Sequence, residues 1–476
     1  MDRESKQKFS RDLISVLISN IIVLISGIVS GFIVPKILGV EEYGFYKIFS
    51  LYITYGALLH FGFVDGILLK FAGTSYDDLD KYAFRTFSKF FIFLEILIAA
   101  IVLIISAIVI PPKYSTIFFL VAIDVVALNV TAYYQYISQA TMRFGELSKR
   151  KILLSIFKIL AFFVLILLAY INVINSVKAT YYVGCIVLID VLLTIWYAWT
   201  YKNITWGSSL KLTSCKKEII GFFKDGIILT VSFQAATIIF TLDRQFISVF
   251  FPTATYGVYS FAYNLISIVT AVVNAVALVL FPRLRQMNEK EAMKFFSYGM
   301  SAILIVAFAS LLGFQPIEVI IRMLLPNYYD AISYLKIIFP GLALSCGISI
   351  IMFTYYKVLN AHKVYFGKCC IVIVVACVLN YVCYRIFHSP ESISVASIIT
   401  LVIWYLICLN YFVMKYEVEW KKHILYISII MLAFYSISFI QNMVFSWLLY
   451  CVVFVIITML LYKDMIFELL NRLKNK

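Results

Sequence analysis

The stretch Thr86–Ile110 reads TFSKFFIFLEILIAAIVLIISAIVI and contains two charged residues in 25 positions. About 20 consecutive apolar residues suffice for a helix that crosses the hydrocarbon core of a bilayer. The whole chain shares this composition, since 63% of its 476 residues are hydrophobic and 14% are charged, whereas soluble domains have about 25% charged residues. Segments this apolar satisfy their backbone hydrogen bonds in lipid as helices. The sequence therefore predicts an all-α polytopic membrane protein.

Similar apolar runs recur along the chain and predict about fourteen transmembrane helices. Six of them precede the longest polar stretch, and eight follow it. The predicted spans are Asp12–Val34, Tyr43–Leu69, Thr86–Ile110, Ser115–Ser138, Ile152–Ile171, Ala179–Tyr201, Gly226–Phe250, Tyr256–Phe281, Phe295–Phe314, Tyr334–Tyr356, Cys369–Phe387, Ile393–Met414, Ile424–Ile440 and Ser446–Tyr462.

Lysine and arginine are distributed unevenly between the connections of these spans. If the N-terminus is cytoplasmic, 31 of the 40 basic residues fall in cytoplasmic segments and six in external ones. The remaining three, Lys47, Lys158 and Arg244, lie within spans. Cytoplasmic loops of membrane proteins are enriched in Lys and Arg. The charge pattern therefore supports the number of spans and predicts that both termini are cytoplasmic.

The chain contains an internal repeat. A shift of 213 residues aligns Tyr43-Gly44-Phe45-Tyr46 with Tyr256-Gly257-Val258-Tyr259 without a gap. Because each half holds six spans, equivalent spans run in the same direction, which predicts two parallel six-helix bundles related by a pseudo-twofold axis along the membrane normal. The predicted organisation is an N-terminal bundle at 1–201, a cytoplasmic linker at 202–225, a C-terminal bundle at 226–414, and two additional transmembrane helices with a cytoplasmic tail at 415–476.

Several classes of function lack the residues that they require. The chain has no GxxxxGK[ST] phosphate loop and no Cys/His spacing typical of a metal site. The longest external loop, around Gln315–Ser333, is too short for a catalytic domain. The sequence therefore predicts a protein that is not an enzyme and that has no cofactor and no metal.

Polar residues within the spans are the candidates for function, because ionisable groups in a membrane are costly and usually face the bundle interior. Asp124, Thr131, Gln135 and Ser138 share one face of span four, and Ser260, Asn264, Ser267 and Asn274 share one face of span eight. Such faces predict a hydrated cavity, with interhelical hydrogen bonding as the alternative. The buried carboxylates that are candidates for proton or ion coupling are Glu95, Asp124, Asp190 and Asp243.

Three motifs resemble one family of transporters. Val34-Pro35-Lys36-Ile37-Leu38-Gly39, followed by Tyr43-Gly44-Phe45-Tyr46, resembles the end of the first helix and the start of the second in polysaccharide-export flippases of the Wzx type. Leu242–Ile247 and Gly257–Tyr263 look like the seventh and eighth helices of that family, and Phe281-Pro282-Arg283 is similar to the exit from the eighth. The resemblance covers about Arg11–Met414.

The resemblance implies the MATE-like fold of the multidrug/oligosaccharidyl-lipid/polysaccharide (MOP) exporters. It further implies a flippase that moves undecaprenyl-diphosphate-linked oligosaccharide units, for O-antigen, capsule or another surface polysaccharide, to the outer leaflet of the bacterial plasma (inner) membrane by alternating access. The polysaccharide polymerase and the chain-length regulator of the same pathway are the implied protein partners, with no role for nucleic acid.

A diphosphate cargo requires a cation, and arginine can bind phosphate oxygens through two hydrogen bonds. Arg244 and Lys158 inside the bundle and Lys47 at its rim are the candidates. The full set of candidates for the substrate path is Arg244, Asp243, Lys47, Lys158, Asp124, Gln135, Asn264 and Asn274.

Three other functions stay open at this stage. A cation-coupled multidrug exporter of the same fold would need an aromatic and acidic pocket. A polysaccharide polymerase or glycosyltransferase is disfavoured by the short external loops. A membrane scaffold that transports nothing would not need polar faces on its spans.

The charge pattern generates a prediction of topology. We expect Cys215 and Lys290 in the cytoplasm and Pro112, Pro252 and Tyr328 outside, as measured with reporter fusions or with cysteine labelling. Labelling of Cys215 from outside by an impermeant reagent would contradict the predicted orientation.

Overall fold

The first helical segment is divided at Gly39, whose backbone has φ 73° and ψ 173°, a conformation that is essentially restricted to glycine. The computed structural model describes residues 3–285 and 289–474, and within them all side chains except those of 3–26, 28–30, 233, 269, 271–285, 289–291, 294, 464 and 466–474. As one straight helix, the 54 residues of α1 (Arg3–Gly56) would be about 80 Å long. The break at Gly39 instead permits two membrane crossings, in the region where the sequence predicts spans one and two.

The second crossing is itself interrupted, which the sequence did not indicate. After α1 ends at Gly56, the chain turns through Phe61 (φ 48°) and Gly62 (φ 85°) before α2 (Phe63–Phe71) begins. The prediction of one continuous span over Tyr43–Leu69 is therefore wrong. The apolar run extends across the turn, so hydropathy alone could not reveal it.

The chain forms two compact units that meet in sequence between residues 234 and 235, within α8. The further helices of the first unit are α3 (Lys81–Val109), α4 (Ser115–Ala140), α5 (Phe144–Tyr170), α6 (Ala179–Thr200), α7 (Lys202–Thr205) and the first part of α8 (Leu212–Phe250). Those of the second unit are the rest of α8, α9 (Thr253–Arg285), α10 (Glu289–Ala309), α11 (Phe314–Leu324), α12 (Ala331–Ile338), α13 (Gly341–Cys346), α14 (Phe353–Val358), α15 (His362–Phe387), α16 (Pro390–Tyr416), α17 (Lys421–Ile437) and α18 (Met443–Lys474).

The described part of the chain is helical and apolar, as the composition predicts. Within it, nine helices are long and apolar enough to cross a membrane, or ten if α8 counts as one bent span. The segment 202–225, interpreted from sequence as a linker, is largely helical, because it contains α7 and the start of α8.

Helix positions follow the internal repeat. Shifted by 213 residues, the bounds of α5 and α6 fall within five residues of those of α15 and α16. The same shift places Gly39, where α1 is broken, on Pro252, immediately before α9. The two halves therefore share helix lengths and break points as well as sequence motifs.

Glycines allow two helices of the first unit to cross with their backbones in contact. A Cβ atom on Gly226 would overlap the carbonyl oxygen of Gly62, and one on Gly66 would overlap the backbone of Phe222. Beside this crossing, the Phe63 ring stacks on Phe91 at 4.9 Å between centroids. The crossing therefore joins the end of the second span to α8 within one aromatic core.

Cys215 belongs to that core and is 3% exposed. The sequence placed it in an accessible cytoplasmic linker, but it is too buried to serve as a labelling site. The neighbouring Ser214 is exposed, so Ser214→Cys is the appropriate probe of topology.

We expect Gly226→Ala to destabilise the protein by about 1–3 kcal/mol, the usual cost of overpacking, because the new methyl group meets fixed backbone. Gly221→Ala is the matched control, since a Cβ atom there meets nothing within 4 Å. Thermal unfolding of both purified variants in detergent measures the difference. Equal unfolding temperatures would show that the close crossing does not limit stability.

Candidate functional site

A cavity of about 300 Å³ lies among α1, α4, α5 and α6 of the first unit. Three charged side chains, Asp124, Lys158 and Asp190, line it together with the aromatic rings of Tyr46 and Tyr182. These two rings contact each other with centroids 5.1 Å apart. The cavity therefore combines acidic, basic and aromatic groups, and we call it the Asp124 cavity.

The charges of the Asp124 cavity are paired incompletely. The Lys158 Nζ atom lies 2.8 Å from Asp190 Oδ2, and Asp124 lines the same cavity. Among the residues that the structure describes, no hydrogen bond reaches Oδ1 of either aspartate. Two carboxyl groups thus share one ammonium group, which leaves one acidic group in excess.

A second cavity, of about 420 Å³, lies within the second unit. Among the residues whose side chains are described, its walls carry one charged residue, Arg244 of α8, and a set of hydroxyl groups. The hydroxyl-bearing residues are Tyr263, Ser267, Thr270, Ser345, Ser349, Ser397 and Thr400. We call this the Arg244 cavity.

Asp243 precedes Arg244 but faces a different environment. Its Oδ2 atom accepts hydrogen bonds from the hydroxyl groups of Tyr259 at 2.8 Å and Ser397 at 3.1 Å, and from that of Tyr263. The backbone N–H of Arg244 donates to Oδ1 at 2.7 Å. Neutral donors on α8, α9 and α16 therefore hold this carboxylate, which is 2% exposed.

The guanidinium group of Arg244 has few partners. Its Nη2 atom donates to the carbonyl oxygen of Phe240 at 2.8 Å, and the group lies 4.7 Å from the centroid of the Tyr263 ring. The buried Nε atom makes no hydrogen bond to the residues that the structure describes. Adjacent residues on a helix point about 100° apart. The Arg244 side chain therefore reaches the cavity, while Asp243 stays hydrogen-bonded to the surrounding hydroxyl groups.

The other candidates on the substrate path are more scattered. Lys47 lies over the rings of Tyr43 and Tyr46 at 5.1 and 5.3 Å. Gln135 is half-buried on α4, and Asn264 is half-buried on α9, where its backbone carbonyl oxygen accepts from the Ser267 hydroxyl group. Asn274 lies outside the residues whose side chains are described.

Glu95, a candidate for coupling, is fully buried between helices. Its Oε2 atom accepts from Asn129 Nδ2 at 2.9 Å, and Asn129 also donates to the carbonyl oxygen of Gly56. Asn129 could not be recognised from the sequence, because an asparagine off the polar face of α4 gives no pattern.

The polar face of α4 serves two purposes along its length. Asp124 lines the Asp124 cavity, whereas Thr131 bonds to Thr194 at 2.8 Å and Ser138 bonds to Tyr201 at 2.7 Å. Thr131 and Ser138 therefore form interhelical hydrogen bonds, which was the alternative to lining a cavity.

Part of the Arg244 cavity comes from residues that the sequence analysis did not single out. α13 and α14 are joined by a π-helical turn at Gly347–Met352, and Ser345 and Ser349 flank its start. Such wide turns occur often at functional sites. Serines four residues apart in an apolar span were the available signal.

Comparisons with known proteins agree on the architecture. The sequence profile of the family described as "Polysaccharide biosynthesis protein" matches residues 9–288. No curated protein matches the chain significantly.

Solved structures of transporters match almost the whole chain. The lipid II flippase MurJ in an inward closed conformation is 14% identical with a TM-score of 0.71, covering 96% of this chain and 99% of that one. An inward-facing multidrug resistance MATE transporter of the MOP superfamily is 13% identical with a TM-score of 0.58, covering 83% and 94%. A MOP superfamily transporter from Pyrococcus furiosus is 12% identical with a TM-score of 0.54, covering 85% and 95%. The predicted MATE-like fold and the resemblance to polysaccharide exporters are confirmed.

Because Lys158 is paired with Asp190, we expect Asp190 to contribute more to stability than Asp124, although both side chains are 1% exposed. We expect Asp190→Asn to destabilise the protein by about 1–3 kcal/mol, below the range for fully buried pairs because Lys158 is 29% exposed. Asp124→Asn, the matched control, retains the Lys158–Asp190 pair and should cost less. Thermal unfolding in detergent compares the two variants. A larger loss for Asp124→Asn would contradict the assigned pairing.

Proposed function

This chain belongs to the polysaccharide biosynthesis protein family, and from that membership we propose that it is a flippase for undecaprenyl-diphosphate-linked oligosaccharides. In this proposal the repeat units of O-antigen, capsule or another surface polysaccharide move from the cytoplasmic to the outer leaflet of the bacterial inner membrane by alternating access. Both termini are cytoplasmic, and the polymerase and the chain-length regulator of the pathway act on the product.

The Arg244 cavity is the observation that carries the proposal. A lipid-linked oligosaccharide presents a diphosphate and a chain of hydroxyl groups. The cavity offers one guanidinium group, whose buried Nε atom has no hydrogen bond within the described residues, and walls that carry at least seven hydroxyl-bearing residues. Arginine binds phosphate oxygens through charge-assisted hydrogen bonds, and the hydroxyl groups can exchange hydrogen bonds with sugars. The chemistry of the walls therefore matches that of the cargo.

Asp243 supports Arg244 in this role. Because Asp243 is held by hydroxyl groups and a backbone N–H, its charge is already stabilised. The guanidinium group is therefore available to an anionic cargo rather than committed to the neighbouring carboxylate. Tyr263 links the two, since its hydroxyl group binds Asp243 and its ring lies beneath Arg244.

The Asp124 cavity is the proposed coupling site. Its excess acidic group can take up a proton or a cation, and Lys158 can exchange between Asp190 and Asp124 as that occupancy changes. Asp243 is less suited to this role, because both of its carboxylate oxygens already accept hydrogen bonds from neutral donors. Glu95 is less suited because it lines neither the Asp124 cavity nor the Arg244 cavity.

A cation-coupled multidrug exporter of the same fold is the second candidate. The Asp124 cavity favours it, since acidic groups beside the Tyr46 and Tyr182 rings suit an organic cation. Lys158 in the same wall opposes it, because an ammonium group repels such a substrate.

We expect Arg244→Ala to insert normally and to lower transport at least tenfold, the scale of a lost hydrogen bond to a charged group. Arg244→Lys should retain partial transport, because the charge survives without the two-pronged geometry. The measurement is surface polymer per unit of inserted protein in a deletion strain that has no second flippase, complemented with each variant.

Arg385→Ala is the control, because it removes an exposed arginine from α15 of the same unit. It should leave transport unchanged. Full transport by Arg244→Ala would remove Arg244 from the mechanism. Normal surface polymer in the uncomplemented deletion strain would contradict the proposed function itself.

A further inference from the structure

A third cavity of the first unit, of about 380 Å³, is a groove between α5 and α6 that is separate from the Asp124 cavity. Phe157 lines the groove, whereas the adjacent Lys158 lines the Asp124 cavity. The groove walls are apolar along most of their length, and Phe157, Leu160, Val164 and Leu192 are about half exposed. Arg150, near the start of α5, is the charged residue of its lining. The groove therefore has an apolar body and a cationic end.

The Arg150 side chain has several partners, but not all of its hydrogen-bond donors are satisfied. Its guanidinium group lies 3.9 Å from the centroid of the Tyr197 ring and 4.9 Å from that of Trp196, and Nη2 donates to Thr200 at 2.6 Å. Glu146 lies 3.9 Å from Nη2. Nη1 makes no hydrogen bond to any residue that the structure describes, although Arg150 is 96% buried.

A structural role alone does not account for this arrangement. The guanidinium group lies over the face of the Tyr197 ring, and the Tyr197 hydroxyl group also lacks a hydrogen bond within the described residues. A buried donor without an acceptor costs free energy, more so when it is charged. The donor is therefore poised for an acceptor from outside the chain.

The dimensions of the groove identify the ligand class. From Arg150 to Val164 the helix rises about 21 Å at 1.5 Å per residue, which exceeds one leaflet of a hydrocarbon core about 30 Å thick. Basic pockets between transmembrane helices bind anionic lipid head groups.

We propose that this groove binds an anionic phospholipid, with its phosphate at Nη1 of Arg150 and one acyl chain along Phe157, Leu160 and Val164. The Trp196 ring, which lines the same end, packs beside the head group as aromatic residues do at membrane interfaces. The site is separate from the Asp124 cavity, since none of the residues that line the groove lines that cavity.

Native mass spectrometry of the delipidated full-length protein tests this site. Phosphatidylglycerol and phosphatidylcholine with identical chains are titrated separately. We expect the wild-type protein to prefer phosphatidylglycerol about tenfold or more, and Arg150→Gln to remove that preference. Lys149→Gln, which removes an exposed charge one residue away, should retain it. Equal preference in wild type and Arg150→Gln overturns the proposal.

Two further measurements complete the test. One uses a second variant, in case the first variant misfolds, and the other tests whether phosphate alone can occupy the site. Ala161→Phe fills the apolar part of the groove without touching Arg150, and it should release phosphatidylglycerol. If Arg150→Gln does not accumulate, this variant decides the matter. Inorganic phosphate should not displace the lipid, and displacement at equal concentration would overturn the role of the chain.

Discussion

An ionisable side chain inside an apolar helical bundle must be paired, hydrogen-bonded or reached by a ligand, because isolated charges are costly there. The described part of the chain meets this constraint in distinct ways. Asp243 is held by three hydroxyl groups and a backbone N–H, and Lys158 is paired with Asp190. Arg244 and Arg150 each keep a buried nitrogen atom without a hydrogen bond to the described residues. Each of these two arginines is therefore assigned an anionic ligand in the proposals above.

The internal repeat shows that the fold does not require these charges. Shifted by 213 residues, Asp124, Lys158 and Asp190 align with Ile337, Ile371 and Ile403, respectively. Arg244 aligns with Gly31. Since α5 and α6 have counterparts of similar length in the second unit, these helices form with either apolar or charged side chains at the positions of Lys158 and Asp190. Each unit thus carries a cavity of its own chemistry on a shared framework, acidic in the first and basic with hydroxyl groups in the second.

Much of this organisation could be predicted from the sequence. Hydropathy and the positive-inside pattern predict the spans, and the repeat predicts equivalent helices. The break in the second span at Gly62 could not be predicted, because hydropathy does not depend on the backbone conformation of a glycine. Arg150 was assigned to a cytoplasmic connection, since it lies at the edge of an apolar run among other basic residues, and only the packing of Trp196 and Tyr197 reveals its burial. Ser345 and Ser349 could not be predicted either, because only the tertiary structure places them in the same cavity as Arg244.

The most direct measurement of the central claim is transbilayer movement of a lipid-linked oligosaccharide in proteoliposomes. The purified protein is reconstituted with undecaprenyl-diphosphate oligosaccharide in both leaflets, and a membrane-impermeant reagent modifies the sugars exposed outside. We expect modification to exceed the fraction initially exposed and to approach completion in vesicles that contain the protein, while protein-free vesicles stop at that fraction. A plateau at the initially exposed fraction with inserted, folded protein, together with uptake of an organic cation, would contradict the account and favour a multidrug exporter.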